Sequence, residues 1–144
     1  MTRQRVLVLC THNAARSQIA EGLLRALAAD RFEVASAGTE ATRVHPLAIR
    51  AMDEVGIDLR GHRSKTVDRF ATEPWDFVIT VCDAASERCP IFPGGTTRLH
   101  WSFEDPSAAT GSEEERLAVF RRVRDAIAAR LQGWVTERTT GRHS

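Results

Sequence analysis

Apolar and polar positions follow two rhythms along this chain, and the switches between them mark out its elements. Val6, Leu7, Val8 and Leu9 form an unbroken apolar run, which predicts a buried strand. Behind it Ile19, Leu23 and Leu27 recur at helical spacing and predict a helix ending near Asp30. Phe32 to Ser36 alternates weakly before Ala37-Gly38, as a short second strand would. His45-Pro46 opens a second helix: proline suits its first turn, Ala48, Met52 and Val55 form its stripe, and Gly56 stops it. Ile57 to Lys65 is loop-like, and Thr66 to Phe70 fits one helical turn. Trp75 to Val81 is almost continuously apolar, the pattern of a central strand covered on both faces. A polar stretch from Cys82 to Cys89 and the breakers Pro90, Pro93, Gly94 and Gly95 separate it from a brief strand at Arg98 to Trp101. In the last helix Ser112 and Glu115 make a capping box, and Phe120, Val123, Ile127 and Leu131 line one face. Arg121, Arg122, Arg124 and Arg130 fall mostly off that stripe and read as a solvated face, and Thr139 to Ser144 as a frayed end.

Strands separated by helices predict an α/β fold, with about four parallel strands and helices on both sides of the sheet. The 144 residues fit a single domain, 1–144, able to bury about 70% of its unfolded surface without a disulfide scaffold or a metal. Ligands in such sheets bind beyond the carboxyl ends of the strands. Cys10, Cys82 and the loop around Asp105 each follow a strand and are expected at one edge.

Composition removes several classes of function. A formal charge of +1 gives no basic footprint for nucleic acid. No apolar run approaches a membrane span, and the short opening run does not read as a signal peptide. Three cysteines, an odd number, argue against a secreted disulfide framework and for a reducing, cytoplasmic setting in which thiols do chemistry. Lys65 is the one lysine in the chain.

The stretch Cys10-Thr11-His12-Asn13-Ala14-Ala15-Arg16-Ser17 lies at the first strand-to-helix junction. A loop wrapped around a helix N-terminus aims amide donors and the positive end of the helix dipole at one spot, which suits a tetrahedral oxyanion. These donors and a guanidinium suit a sulfur anion, so Cys10 is expected to be an activated nucleophile. Arg16 brings a planar fork for two oxygens, Ser17 a hydroxyl for the sulfur, and Asn13 tolerance of left-handed backbone. The bland alternative is a buried, inert cysteine beside a surface arginine. Cys82 and Cys89 stand seven positions apart; as a helix that stretch would rise about 10.5 Å, beyond the roughly 4.4 to 6.8 Å of a disulfide, so bridging them requires it to unwind. Two unrelated small residues remain the alternative, while a zinc site lacks the usual spacing and a second ligand pair. Asp105-Pro106 is either a plain turn or, at the mouth of an anion loop, a general acid.

VLVLCTHNAARSQIAEG, SAGT around Ser36, VCDAASERCP and HWSFEDP together resemble the thioredoxin-coupled arsenate reductases of the low-molecular-weight protein tyrosine phosphatase fold, from Arg5 to about Leu131. That resemblance implies a three-layer sandwich and a triple-cysteine relay. Cys10 attacks arsenate, held by Thr11 to Ser17 with Arg16, while Asp105 protonates the leaving oxygen. Cys82 then forms a disulfide with Cys10, and Cys89 with Cys82, for reduction by thioredoxin. It also implies no bound cofactor or metal, phosphate and sulfate as competing oxyanions, weak phosphatase activity and a monomer.

The chain departs from the pattern at His12, where the phosphatases usually carry glycine, and at Lys65. Some of these reductases bind a monovalent cation through residues matching Asn13, Glu21 and Ser36 together with an acid at the Lys65 position. The ammonium of Lys65 is expected to take the cation's place, unless it is a solvated surface lysine. Two rival functions remain at this stage: phosphatase activity alone, and a non-enzymatic redox switch.

Overall fold

Because Val6 to Leu9 are apolar at every position, the first strand can be buried on both faces, and it becomes an inner strand of the sheet. In the computed structural model, which describes residues 3–83, 92, 95 and 97–140, strand β1 is Gln4–Cys10 and is buried from Val6 onward. The other strands are β2 (Phe32–Gly38), β3 (Phe77–Thr80) and β4 (Thr97–His100). All pair in parallel in the order β2-β1-β3-β4. Leu9 stands opposite Ala37 on one side and Thr80 on the other, so β1 and β3 form the centre.

Side chains alternate across the sheet with period two. Val6, Val8 and Cys10 face the layer made by α1 (Arg16–Ala28), α2 (Pro46–Asp53) and α3 (Glu113–Thr140). Leu7 and Leu9 face the opposite way, under the 3-10 turn Val67–Phe70, Trp75 and Phe92. The result is an α/β sandwich of three layers.

Two expected core positions lie outside the core. Leu27 is 40% exposed, because the buried line of α1 runs through Ile19, Ala20, Leu23, Leu24 and Ala28. Val55 is 47% exposed, because α2 ends at Asp53 and the stripe ends with it. One expected solvated residue is buried: Arg124 donates from Nη1 to the Ala51 carbonyl (2.7 Å) and to Glu54 (2.9 Å). It thereby satisfies an orphan carbonyl at the end of α2. Arg121 also pairs with Glu54, Arg122 pairs with Glu104, and the Arg130 guanidinium lies 5.1 Å from the Trp101 ring. Helix α3 runs on past Leu131, through buried Trp134, and includes Thr139 and Thr140.

Candidate active site

The loop between β1 and α1 begins at Cys10, the last residue of the strand, and ends at Arg16, the first of the helix. Asn13 adopts φ 51°, the left-handed turn its residue type permits. His12 does not share that conformation, so a side chain fits at this position of the loop. Its ring is half-exposed at the cavity rim, 3.4 Å from Glu40. Gly38 at the end of β2 lets the loop close up, since a Cβ there would lie 2.7 Å from the Asn13 nitrogen and 2.8 Å from the Thr11 oxygen. The backbone N–H groups of His12, Asn13, Ala14 and Ala15 make no hydrogen bond to any described residue, which leaves them available to an anion.

Cys10 is buried, with Sγ 2.8 Å from Ser17 Oγ. Asn13 Nδ2 donates to that same hydroxyl (2.7 Å), so the hydrogen of Ser17 is free to point at sulfur. Asn13 also donates to Ser36 Oγ (2.9 Å), and Ser36 donates to Glu21 Oε1. Asn13 Oδ1 accepts from Gln18 Nε2 and from the Lys65 backbone nitrogen, both at 2.9 Å. Gln18, fully buried, reaches on to the Arg63 carbonyl and to His62 Nδ1.

The ammonium expected among Asn13, Glu21 and Ser36 is elsewhere. Lys65 joins this network through its backbone, while its Nζ donates to the Arg63 carbonyl at 2.6 Å. Glu21, 4% exposed, takes its positive partner from Arg25 one helical turn away, at 2.8 Å.

Arg16 is buried, donates to the Phe103 carbonyl (3.1 Å) and brings Nη2 within 3.8 Å of Asp105 Oδ2. Asp105 caps the 3-10 turn Pro106–Ala108: its Oδ1 accepts from Ser107 N (3.0 Å) and Ser107 Oγ (2.6 Å). Cys10, His12, Ala14, Ala15, Arg16, Asp105 and Ser107 line one small cavity. A nucleophile, a cationic fork and a carboxyl group thus share one opening, the arrangement needed to attack an oxyanion and protonate what leaves.

Cys82 is fully buried in the same cluster as Cys10, two residues past β3, and Val81 N donates to Leu9 O at 2.9 Å. It is disulfide-bonded, whereas Cys10 is a free thiol. Its partner sulfur, Cys89 and the expected helical stretch before Cys89 lie outside the described residues. Sequence reasoning missed Gln18, Gly38, His62 and Ser107. Of these, Ser107 had a readable signal, two residues after an aspartate in an Asx-turn spacing, and Gly38 stood in the SAGT segment; nothing local marks Gln18 or His62.

A strand-ending cysteine, an arginine opening the next helix and a distant Asp-Pro loop define a class. The profile of the low molecular weight phosphotyrosine protein phosphatases matches residues 5–142, and the chain belongs to that family. Within it, the chain is 44% identical to an arsenate reductase of Halalkalibacterium halodurans over 92% of its own length and 95% of the relative's. Among solved structures it is similar to an arsenate reductase in the phosphate binding state, at 35% identity and TM-score 0.78, covering 93% of this chain and 98% of that one. A thioredoxin-dependent arsenate reductase of Corynebacterium glutamicum aligns at 28% identity and TM-score 0.67, over 94% of this chain and 61% of that longer one.

Proposed function

We propose that this protein is a cytoplasmic, monomeric arsenate reductase that uses Cys10, Cys82 and Cys89 in turn and is recycled by thioredoxin. The Cys10 thiolate attacks arsenic(V), and the As–O bond that breaks releases water, its proton coming from Asp105. Arg16 and the loop amides of Thr11 to Ser17 hold the remaining oxygens. Cys82 then attacks the Cys10 sulfur; the S–As bond breaks, and its electron pair leaves with arsenic as arsenite. Cys89 attacks Cys82, frees the Cys10 thiolate, and the final disulfide takes two electrons from thioredoxin. No bound cofactor or metal enters this scheme. Phosphate and sulfate compete for the loop, and aryl phosphates are hydrolysed weakly because they share the first covalent step.

What supports this reading above all is Cys82: it leaves β3 beside the strand that ends in Cys10, within the same buried cluster, at a place where a phosphatase needs no thiol. The arsenate reductases among its relatives supply the substrate class. The test is steady-state arsenate turnover with thioredoxin, thioredoxin reductase and NADPH, run beside glutathione with glutaredoxin. The thioredoxin arm is expected to sustain turnover. Cys89→Ser should abolish repeated reduction while leaving aryl phosphate hydrolysis largely intact; equal loss of both would return the protein to the phosphatases.

A further inference from the structure

A cavity of about 390 Å3 opens along the outer edge of β2 at Val34 and Ala35, sharing no residue with the catalytic cavity. Arg5, Arg25, Arg63, Lys65 and Arg69 line it against two carboxylates, Glu21 and Glu33. The carboxylates do not neutralise all of it. Arg25 is paired with Glu21 (2.8 Å), and Arg5 with Glu73 (2.7 Å) and Glu33 (3.6 Å). Arg63 and Arg69 are exposed and form no ion pair with any described residue, and Lys65 Nζ rests on a carbonyl. Burial pushes the Lys65 ammonium below its ordinary value; Glu21 opposes that, and Arg69 and Arg25 push it further down. Positive charge is therefore crowded here and exceeds the carboxylates that face it.

From this geometry we infer a second anion site, one that takes a diphosphate group and is coupled to the catalytic loop. The volume falls in the range of small-molecule pockets, about 300 to 1,000 Å3, and exceeds the needs of one tetrahedral oxyanion. A diphosphate carries enough oxygens to meet two guanidinium forks and an ammonium at once. The coupling follows hydrogen bonds from both walls. Lys65 N binds Asn13 Oδ1, Asn13 Nδ2 binds Ser17 Oγ, and Ser17 Oγ meets Cys10 Sγ. On the other wall Arg25 holds Glu21, which accepts from Ser36, itself bonded to Asn13. Two anions on either side of this network repel, so each weakens the other by the same factor.

The test is calorimetric titration of the full chain with inorganic pyrophosphate at physiological salt, and it needs no arsenate turnover, so it stands apart from the function proposed above. Pyrophosphate should bind saturably, and saturating orthophosphate at the catalytic loop should weaken that binding by roughly fivefold without abolishing it. The double variant Arg63→Gln/Arg69→Gln, altered at two exposed side chains, should lose about tenfold or more in pyrophosphate affinity while binding orthophosphate as before. ADP as a parallel ligand separates the sources: tighter binding than pyrophosphate names a nucleoside diphosphate, weaker binding a free or simple diphosphate. Complete competition by orthophosphate, or an unchanged affinity in the double variant, overturns the site. Identical pyrophosphate affinity with and without orthophosphate overturns the coupling.

Discussion

Both hydrogen bonds that Ser107 donates to Asp105 land on Oδ1, which leaves Oδ2 as the oxygen nearest Arg16 and the one placed to carry a proton. Asp105→Asn keeps the shape and removes the proton, and should lower kcat for arsenate by about 10²-fold or more. Ser107→Ala loses one hydrogen bond and should lower kcat by roughly three- to tenfold with little change in KM, because the binding donors belong to the loop. Gly38→Ala drives a methyl against Asn13 and Thr11, and should depress kcat/KM by about 10²-fold together with a lower melting temperature. Potassium should have little effect on kcat/KM, for a reason different from the one the sequence suggested: Arg25 already supplies the positive charge beside Glu21. Cys10, Arg16, Ser17 and Asp105 were legible because their chemistry follows from residue type and position. The Lys65 head group was not, since a long side chain's direction is set by tertiary neighbours. Arg25, four residues after Glu21, could have been read from helical spacing alone.

Helix ends were the most legible feature at the scale of elements. Ser112 and Glu115 exchange the two bonds of a capping box, Ser112 N to Glu115 Oε1 (2.8 Å) and Glu115 N to Ser112 Oγ (3.1 Å). At α2 the cap is His45, whose Nδ1 accepts from Leu47 N at 3.0 Å and so carries no proton. Burial, then Arg116 and Arg43, hold its pKa below the ordinary 6.5, with Asp105 opposing. A group with a depressed folded pKa favours the fold above its unfolded value, and that advantage is lost as pH falls from 6.5 toward the folded value. Melting temperature should therefore drop between pH 7.5 and 5.5, and His45→Asn, which caps without titrating, should flatten the drop in circular dichroism melts. The stripes were less legible than the caps. Leu27 and Val55 match helical spacing, yet the helix packs on smaller neighbours in one case and has ended in the other.

The parallel sheet and its functional edge follow from strands alternating with helices, but strand order does not, because periodicity says nothing about which strands pair. Nor did the sequence show how far α3 reaches across the sheet. Trp134 lies with Phe32 (5.1 Å), Phe77 (5.0 Å) and Trp101 (6.0 Å between ring centroids), joining the last helix to three strand-associated rings. Leu131→Ala, one turn earlier at a fully buried position, should cost about 2 to 5 kcal/mol in denaturant unfolding and leave the arsenate KM unchanged. Arg124 escaped notice for a similar reason: a cation off the apolar stripe reads as solvated until a second helix end is found beside it.

The rung from Val81 N to Leu9 O lies immediately before Cys10, the last residue of β1, and before Cys82, two residues past the end of β3. Adjacent strands run about 4.8 Å apart, inside the roughly 4.4 to 6.8 Å that a disulfide spans between Cα atoms. The sheet thus brings the backbones that carry Cys10 and Cys82 close together for the sulfur-to-sulfur handover proposed between them. On such a frame, a hydrolytic scaffold could acquire electron transfer by two changes of residue beyond the end of the next strand, at the positions of Cys82 and Cys89, with the anion loop untouched.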